Sequence, residues 1–364
     1  MRKRINYHYF DKTLLLLPVL IFVIGILSIH SASFRSEQPL DQMFTVRQSA
    51  WMGVGLLVVF LLIRVDYFKW MDWVWPFYFF SLALLLLVLF MPSRLGAHRW
   101  IGAGAFNMQP SELAKLAVIL ALSHFFAAHK PEYMPKSRYL IPLAVIGVPF
   151  VLILREPDLG TALTLVPVFL SMFYFWGAKP KYLVGLLVLM LAVSPLLFVL
   201  LKDYQKARLL VFVNPNMDPL GAGYHIIQSK IGIGSGGLLG KGFMSGTQNR
   251  LNFIPERHTD FIFSVIGEEG GFLACSVVLL LFGVLIWKGY KISSGTHDRF
   301  GSLLACGIST VLAVQTFVNI GMAMGILPVV GMPLPLMSYG GSSVFMTMVS
   351  IGILLNIKLY RPLF

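Results

Sequence analysis

Charged residues and cysteines are both scarce in this chain. Only 12% of its 364 residues are Asp, Glu, Lys or Arg, which is too little to cover a water-soluble globule of this length. The two cysteines, Cys275 and Cys306, lie in apolar runs without metal-ligand spacing, and we interpret them as packing residues. The sequence also lacks HExxH, a Cys/His cluster and a Ser/His/Asp arrangement. These absences argue against a disulfide framework, a zinc site and a serine hydrolase.

Hydrophobic residues, in contrast, make up 57% of the chain and are grouped into long runs. Ten runs approach the roughly 20 residues that cross a bilayer as a helix. They fall at about 12–33, 48–64, 72–91, 111–128, 138–154, 159–176, 182–201, 261–287, 300–324 and 340–359. The pattern predicts an all-α polytopic membrane protein of about ten transmembrane helices, in one domain over residues 1–364. The first run is too long for a cleaved signal peptide, so we expect a signal anchor.

Basic residues predict the orientation of these helices. If the N terminus is cytoplasmic, 16 of the 29 Lys and Arg residues fall in cytoplasmic segments and five in short outer loops. Both termini are therefore predicted to be cytoplasmic, with a large extracytoplasmic loop at about 202–260 between helices 7 and 8. The net charge of +13 is explained by basic residues beside anionic membrane lipids, so no nucleic acid partner is needed.

The densest group of polar residues at the outer face surrounds Asp260. An ionisable residue at a membrane boundary is costly and marks a functional site. On an ideal helix that starts near Asp260, three small residues share its face: Ser264, Gly267 and Gly271. This spacing predicts a narrow track beneath the carboxylate. Glu268 and Glu269 lie deeper in the same run, either as functional groups or as a helix-packing or salt-bridged pair.

Three further charged groups occur at the outer ends of helices. Glu112 and Lys115 are three residues apart at the start of the fourth helix, and we favour a pair lining a polar cavity over a solvated surface pair. Glu156 and Asp158 lie in a tight turn, either as site residues or as a solvated loop. Two arginines either hold phosphate or mark the interface: Arg47 and Arg99.

The outer loop also contains a weak GxGxxG match at residues 232–237. A dinucleotide site requires this motif between a strand and a helix of a soluble βαβ unit, so we reject nucleotide binding. We interpret Gly232 to Gly246 as a flexible stretch whose exposed backbone can approach a lipid or a phosphate. A purely conformational role for these glycines is the alternative.

Longer motifs extend over essentially the whole chain. They are GAHRWIGAGAFNMQPSELAKL at 96–116, EPDLGTAL at 156–163, YHIIQSKIGIGSGG at 224–237, GTQNRLNFIPERHTDFIFSVIGEEGG at 246–271, and Asn319 followed by GILPVVGMPLPLMSYGGSS at 325–343. Together they resemble the SEDS family (RodA, FtsW and SpoVE). The wording PERHTD and GTQ and the short N-terminal segment are most similar to the elongation, or RodA, branch of that family.

The resemblance implies an enzyme of the bacterial cytoplasmic membrane with its active site on the extracytoplasmic face. It would be a peptidoglycan glycosyltransferase that polymerises lipid II during cell elongation, with an undecaprenyl-pyrophosphate-linked donor and inversion at the sugar. The implied partners are a class B penicillin-binding protein (a transpeptidase) and other elongation-complex proteins, and the implied cofactor is a divalent cation, Mg²⁺ or Mn²⁺.

The resemblance also assigns expected roles to residues. Asp260 is the candidate catalytic base or metal ligand. Glu112 and Lys115 would shape the cavity, and three basic residues are candidates to bind phosphate: Arg47, Arg99 and Lys241. The matching motifs add further substrate-binding or cavity candidates: Glu156, Asp158, Gln228, Lys230, Arg257, His258, Glu268 and Ser338.

Two other functions use the same features. A lipid II flippase or transporter would need the groove without making a bond, and a non-catalytic scaffold of the elongation complex would only regulate its partner. Small residues permit close helix approach in lipid, so the ninth helix is our candidate contact for a single-pass partner. Its small residues are Gly301, Cys306, Gly307, Gly321 and Ala323, with Gly325 just beyond.

Overall fold

The structure, a computed structural model, describes residues 10–33, 43–91, 99–103, 106–201, 203–214, 221–250, 253 and 256–360. Within these ranges the chain is helical apart from loops and one small antiparallel hairpin, formed by Ile101–Ala103 (β1) and Phe106–Met108 (β2). Several basic residues used to predict the orientation lie outside the described residues: Arg2, Lys3, Arg4, Arg35, Arg94, Lys202 and Arg361.

The helices follow the apolar runs of the sequence. The first seven are Lys12–Ser33 (α1), Phe44–Leu62 (α2), Val74–Leu89 (α3), Pro110–Ala128 (α4), Leu140–Arg155 (α5), Leu159–Phe175 (α6) and Pro180–Leu200 (α7). The outer region contains Asp203–Val213 (α8), Ala222–Ser235 (α9) and Thr247–Arg250 (α10). The last three are Ile262–Gly295 (α11), Arg299–Ala323 (α12) and Gly341–Leu359 (α13). Short 3₁₀ segments, Tyr67–Trp73 and Lys136–Tyr139, precede α3 and α5.

The predicted polytopic fold is confirmed. Among the described residues, eight helices are long and apolar enough to cross a membrane, and two more apolar helices, Leu159–Phe175 and Pro180–Pro195, are shorter. Together they account for all ten predicted runs. Each of these two helices contains a proline, Pro167 in α6 and Pro195 in α7, a residue that membrane helices tolerate where neighbours satisfy the freed backbone groups.

Three helices form the centre of the bundle. In α4, α12 and α13, between 72% and 78% of the most hydrophobic segment is buried, whereas in α2, α3, α5 and α11 the fraction is 22–28%. This difference in burial separates an inner group of helices, which are mostly surrounded by protein, from an outer group whose apolar faces are exposed. Close approach at the centre depends on small residues, since a Cβ at Gly307 of α12 would lie 2.6 Å from Ile119 and 2.9 Å from Met172.

This packing corrects the expectation that the ninth helix, α12, offers its small residues to a partner. Gly301, Cys306, Gly307, Gly321 and Ala323 are all buried inside the protein. Gly307 packs on α4 and α6, and Gly321 packs on Leu327. The same small size that suits a contact between two chains in lipid serves here to pack helices of one chain.

An ion-pair cluster fixes the relative direction of three helices. Asp11, just before α1, accepts from Lys288 Nζ at 2.9 Å and from Lys358 Nζ at 2.7 Å. The start of α1 and the C-terminal parts of α11 and α13 therefore lie at one end of the bundle. Asp260 precedes α11, so it lies at the opposite end. This is the arrangement predicted for termini on one side and the functional site on the other.

The glycine-rich stretch of the outer loop is not the flexible, backbone-exposing segment that the sequence predicts. The amides of Lys241 and Gly242 donate to the carbonyls of Glu268 and Glu269, each at 3.0 Å. In return, Phe272 N donates to the carbonyl of Gly237 at 2.9 Å. These amides are used inside the protein and do not face a phosphate, because the stretch is inserted against a break in α11. The GxGxxG residues Gly232 to Gly237 lie in and just after helix α9, without the strand that a dinucleotide site requires.

The predicted track of small residues beneath Asp260 is also wrong. The helix begins at Ile262, and Gly271 has φ 62° and ψ −161°, so the ideal helical face does not continue to it. Ser264 instead exchanges a hydrogen bond with Ser229 of α9. A Cβ at Gly267 would lie 3.0 Å from Ile233, and one at Gly271 would lie 2.4 Å from Gly240 N. The small residues allow α9 and the stretch after it to pack on α11.

Candidate functional site

Asp260 lies between the outer region and α11, where three parts of the chain meet. Asn319 Nδ2, on α12, donates to the backbone carbonyls of Asp260 at 3.0 Å and Met332 at 2.8 Å. A Cβ placed on Gly331 would lie 3.5 Å from Asp260 Oδ2 and 3.8 Å from Arg208 Nη1. The carboxylate therefore faces the loop after α12, next to a guanidinium from α8. Gly331 has φ 70°, a conformation that favours glycine.

The backbone before Asp260 is attached to the loop that precedes α13. Ser338 Oγ donates to Thr259 O at 2.6 Å and accepts from Leu334 N at 2.8 Å. Gln48 of α2 donates to Ser338 O at 2.8 Å and accepts from Gly340 N at 3.1 Å. The Ser338 hydroxyl thus links the backbone at Thr259 to the backbone at Leu334, which is a positioning role. Its predicted contact with substrate stays a prediction.

The surroundings of Asp260 favour its neutral form more than water does. Burial raises the pKa of its carboxyl, the negative charge of Glu256 raises it further, and Arg208 and Arg99 oppose both effects without preventing a rise to about 6. None of the four ion pairs found among the described residues involves Asp260. The carboxyl is consequently poised to gain and lose a proton near neutral pH.

Arg99, Glu156 and Asp158 lie in this neighbourhood, as the sequence predicts. Arg99 donates to the backbone carbonyls of Glu156, at 3.1 Å, and Pro157. Arg99 also lines a small cavity together with Arg208 of α8. The two arginines and the Asp260 carboxylate therefore belong to one outer-face cluster, which we call the Asp260 site.

Glu156 and Asp158 differ in how they are satisfied. Asp158 accepts from Thr161 N at 3.2 Å, which caps the start of α6, and from Gln109 Nε2 at 2.7 Å. Glu156 is fully buried, and neither of its carboxylate oxygens has a hydrogen-bond partner among the described residues. Burial, with the charge of Asp158, raises the pKa of Glu156 to about 9. Glu156 is therefore neutral at pH 7, and the solvated-loop alternative does not apply to either residue.

Glu112 and Lys115 form the predicted pair, 2.7 Å apart, with only 6% and 5% of their side chains exposed. The pair lines a small cavity between α4, α12 and α13, with Gln315, Thr347 and Ser350 as the other polar residues. The cavity reading is thus favoured over a solvated surface pair. Ser111 directly precedes Glu112 in the chain, and its hydroxyl lies 3.4 Å from Asp158 Oδ2.

Glu268 and Glu269 have separate partners. Glu268 accepts from Lys241 Nζ at 2.8 Å, Thr247 Oγ1 at 3.0 Å and Gln248 N at 2.9 Å. Glu269 accepts from Ser31 of α1. The two residues are thus not paired with each other. They tie the outer region and α1 to α11, and the Lys241 ammonium, proposed for phosphate, is bound to Glu268.

The remaining candidates lie around the outer region. Arg257 Nε donates to Ala32 O at 2.7 Å, and the ring of His258 packs against Phe44 with centroids 4.6 Å apart. Arg47 lies in the first turn of α2 and is partly buried, and Lys230 is exposed with its stem against Gly325. Gln228 is partly buried on α9, one residue before Ser229. Their roles in binding substrate stay predictions.

Sequence reasoning missed Arg208, Gln48, Asn319 and Glu256 as site residues. Arg208 falls within the outer loop predicted at about 202–260, and nothing in that prediction indicates that helix α8 places it beside the carboxylate. Asn319 was noted only as part of a family motif. A polar side chain inside an apolar run, as Asn319 is in the run at 300–324, is the signal that could have identified it. Gln48 stands at the start of its run, beside Arg47 and Ser49, and carries no such signal.

The donor groups at the site fit only one kind of metal binding. Among the described residues, no three His, Cys, Asp or Glu side chains group closely enough to hold an ion. Mg²⁺ is usually held by one or two carboxylates, with substrate phosphates and waters as the other ligands. Asp260, with Glu256 acting on it, can supply oxygen donors of that kind. The residues fit a cation shared with a phosphorylated substrate.

An apolar groove of about 530 Å³ starts beside the Asp260 site. Val330 and Met332, which flank Gly331, form one end, and the groove continues between α6 and α12 along Leu163, Pro167, Val314 and Phe317. Phe317 is 66% exposed, so the groove opens toward the lipid-facing surface. A ligand with a polar head and a long apolar tail could bind here, with its head at the carboxylate and its tail in the groove.

Comparisons with known proteins agree with this arrangement. A model of the FtsW, RodA and SpoVE family, described as "Cell cycle protein", matches residues 11–362. The chain is 39% identical over 358 residues to "Peptidoglycan glycosyltransferase MrdB" of Escherichia coli (strain K12), across 98% of this chain and 95% of that protein.

Two solved structures have a similar fold. One is a chain of "a peptidoglycan synthase complex", with TM-score 0.82 and 34% identity over 98% of this chain and 99% of that chain. The other is the "Rod shape determining protein RodA" of Thermus thermophilus, with TM-score 0.72 and 29% identity over 97% of each chain. Both likenesses extend along the whole bundle.

The fold and site thus define a multi-pass helical membrane protein with a carboxylate and two arginines clustered at one end of its bundle. More narrowly, the chain belongs to the FtsW/RodA/SpoVE family, which is the SEDS family that its motifs resemble. The expectation of family membership is confirmed.

Proposed function

We propose that this protein is a peptidoglycan glycosyltransferase that polymerises lipid II into glycan strands during cell elongation. The observation that carries the proposal is Asp260, whose pKa is raised to about 6 and whose carboxylate stands beside arginines at one end of an apolar groove. Lipid II combines a pyrophosphate, a sugar and a long polyprenyl tail, which matches this order of groups. The name of the MrdB relative supports the same activity.

The reaction requires one base and no covalent intermediate. The acceptor hydroxyl attacks the anomeric carbon of the donor sugar, and the bond from that carbon to the pyrophosphate breaks. Asp260 accepts the hydroxyl proton, and the pyrophosphate leaves on its polyprenyl carrier. Because one displacement inverts the configuration, an α-linked donor gives a β-linked strand, and a single carboxylate suffices.

Positive charge is needed where the pyrophosphate leaves. Arg208 and Arg99 both act electrostatically on Asp260, so an anion bound near the carboxylate would face two guanidinium groups. Arg99 is held by the carbonyls of Glu156 and Pro157, which fixes its position. We assign Arg208 as the more direct phosphate ligand, because it lies next to Gly331 and the Asp260 carboxylate.

A divalent cation, Mg²⁺ or Mn²⁺, completes the proposal. Asp260 would hold it together with oxygens of the pyrophosphate. When bound, the ion would neutralise charge that develops on the leaving group. The residues of the chain position the two sugars and accept the proton.

The proposed partner is a penicillin-binding protein of class B, in the cytoplasmic membrane, with the Asp260 site on the extracytoplasmic face. The structural relative in "a peptidoglycan synthase complex" supports this assignment. Since the small residues of α12 are buried inside the protein, the outer helices of the bundle, whose apolar faces are exposed, are the better candidates to contact a spanning helix of the partner.

One experiment separates this function from its rivals. Purified protein and partner, with the transpeptidase blocked, are given fluorescent lipid II with a divalent cation, and the products are resolved by length. We expect glycan strands with the wild type and none after chelation of the cation. A flippase would move labelled lipid across vesicles without forming polymer, and a scaffold would form none at any partner ratio. Either result would refute the glycosyltransferase.

A further inference from the structure

A second charged site lies at the end of the bundle opposite Asp260. A cavity of about 260 Å³ is lined there by the start of α1 and the C-terminal parts of α11 and α13. Its charged residues are Asp11, Lys288, Lys291 and Lys358. We call it the basic cavity. The distribution of basic residues places this end in the cytoplasm, so the cavity is separate from the proposed catalytic site.

The charges of the basic cavity do not balance. Among the described residues that line it, three ammonium groups face one carboxylate, which leaves a formal excess of two positive charges. Asp11 cannot neutralise more, because both of its oxygens already accept from Lys288, and Lys358 donates to one of them. Lys288 and Lys358 are partly removed from water, with 19% and 31% of their side chains exposed, and a third ammonium, from the exposed Lys291, beside them is costly unless an anion joins the cluster. The cavity is therefore suited to an oxyanion.

The shape of the surroundings identifies the class of ligand. Trp287 lines the cavity, lies under Lys291 Nζ at 4.7 Å from its ring centroid, and is 56% exposed. Trp is typical of the membrane interface, at the level of the lipid headgroups. Leu280 and Leu273 stand seven and 14 residues before Trp287, on the same helical face, and are 66% and 62% exposed. An apolar surface thus leads from the cavity into the bilayer.

We propose that the basic cavity binds the phosphate of an anionic phospholipid of the cytoplasmic leaflet, whose acyl chains lie along the exposed face of α11. Lys291 and Lys358 hold the phosphate, and Trp287 sets its depth. The volume is several times the roughly 30 Å³ that one water occupies in the liquid, so a phosphodiester enters without displacing protein. The bound lipid joins the ends of α1, α11 and α13.

Lys291→Gln is the sharpest variant, because Lys291 is exposed and forms none of the four ion pairs among the described residues. Lys130→Gln is the matched control, an exposed lysine on the same predicted side in the loop after α4. Lys291→Arg keeps the charge and tests rescue. Retained lipid is counted by native mass spectrometry after purification from nanodiscs of phosphatidylglycerol mixed with phosphatidylcholine.

We expect the wild type to retain phosphatidylglycerol selectively, and Lys291→Gln to weaken retention about fivefold, the effect of one lysine beside anionic lipid. The arginine variant and the Lys130 control should behave as the wild type. Equal retention in both glutamine variants would overturn the site. A parallel thermal-shift series adds inorganic phosphate to protein in phosphatidylcholine. If phosphate alone stabilises the wild type and Lys291→Gln abolishes that effect, the ligand is a soluble anion and the lipid assignment is wrong.

Discussion

Asp11 and Asp260 occupy similar positions in the chain and have opposite surroundings. Each precedes a membrane-crossing helix, one at each end of the bundle. Burial raises the pKa of Asp11, but hydrogen bonds from Lys358, Thr13 and Lys288 outweigh it and hold the pKa well below its usual range. Asp260 has burial and Glu256 acting on it, and its pKa rises to about 6.

The difference separates a structural carboxylate from a reactive one. Direct ammonium partners stabilise the charged form of Asp11 so strongly that it never takes up a proton near neutral pH. Arg208 and Arg99 lower the pKa of Asp260 less than burial and Glu256 raise it, so a proton can be gained or lost. Residue type and position along the helix are the same, and the partners decide the chemistry.

The largest expected effect comes from Asp260→Asn. The amide keeps the size of the side chain and removes its basicity, so we expect polymerisation to fall by about 10²–10⁴-fold, the usual contribution of a general base. Membrane insertion should be unchanged, and thermal stability should not fall, because the raised pKa means that the ionised carboxylate itself costs stability at neutral pH. The measurement is the initial rate with lipid II in detergent.

The matched control is Asp203→Asn, an exposed aspartate in the first turn of α8. It should retain the wild-type rate. Equal activity of Asp260→Asn and Asp203→Asn would show that Asp260 takes no part in the reaction. Asp260 would then not differ from Asp11 in reactivity.

Glu112 and Lys115 provide the second test. Like Asp11, Glu112 is a carboxylate with a direct ammonium partner, but it lies close to the Asp260 site. Removing either charge leaves the other buried, a change that costs about 3–5 kcal/mol in buried pairs. We expect each single change, Glu112→Gln or Lys115→Gln, to lower both thermal stability and polymerisation. The charge-swapped double variant should recover part of the loss. Strictly additive losses would mean that each residue contacts substrate independently.

Asp11→Asn should show the reverse pattern from Asp260→Asn. Two lysines lose their partner, and because they are partly exposed we expect a loss of about 1–3 kcal/mol of stability. The rate per folded molecule should not change. Since the folded-state pKa of Asp11 is lowered, its stabilising effect is present above the unfolded-state value and is lost as the pH falls below about 4. The measurement is the thermal unfolding of the wild type and of Asp11→Asn across pH. A stability difference between the two that grows as the pH falls would contradict the prediction.

The smallest effect concerns the pH profile of the rate. Because Asp260 acts as a base in its ionised form, polymerisation should rise with pH and level off above about 6. Glu256→Gln removes a negative charge that raises the pKa of Asp260, so the midpoint should move to lower pH by a few tenths of a unit. An unmoved midpoint would assign the titration to another group.

The helices could be predicted because each is an apolar run of spanning length, and hydrophobicity requires no knowledge of neighbours. Asp260 and the Glu112–Lys115 pair were predictable for the related reason that charge is rare in such runs. The track of Ser264, Gly267 and Gly271 could not be, because it assumed one straight helix. The helix breaks at Gly271, and residues 237–242 form hydrogen bonds with its backbone there.

The support of the Asp260 backbone was equally hidden. Asn319 and Ser338 follow Asp260 by 59 and 78 positions, and hydrogen bonds across such separations leave no pattern in the sequence. Arg208 was missed because a charge count of a long loop does not show which residue returns to the membrane surface. What sequence reasoning lacks is the pairing of distant segments.

The hydrogen bonds from Asn319 and Ser338 also determine when the site can form during biosynthesis. When the ribosome has released Asp260, neither Asn319 nor Ser338 has been made, and the carboxylate has no fixed backbone. Only after the final two helices insert are residues 259 and 260 hydrogen-bonded from both sides. A nascent chain that ends before α12 therefore lacks both hydrogen bonds, and the backbone at Asp260 is fixed only once the whole bundle has been made.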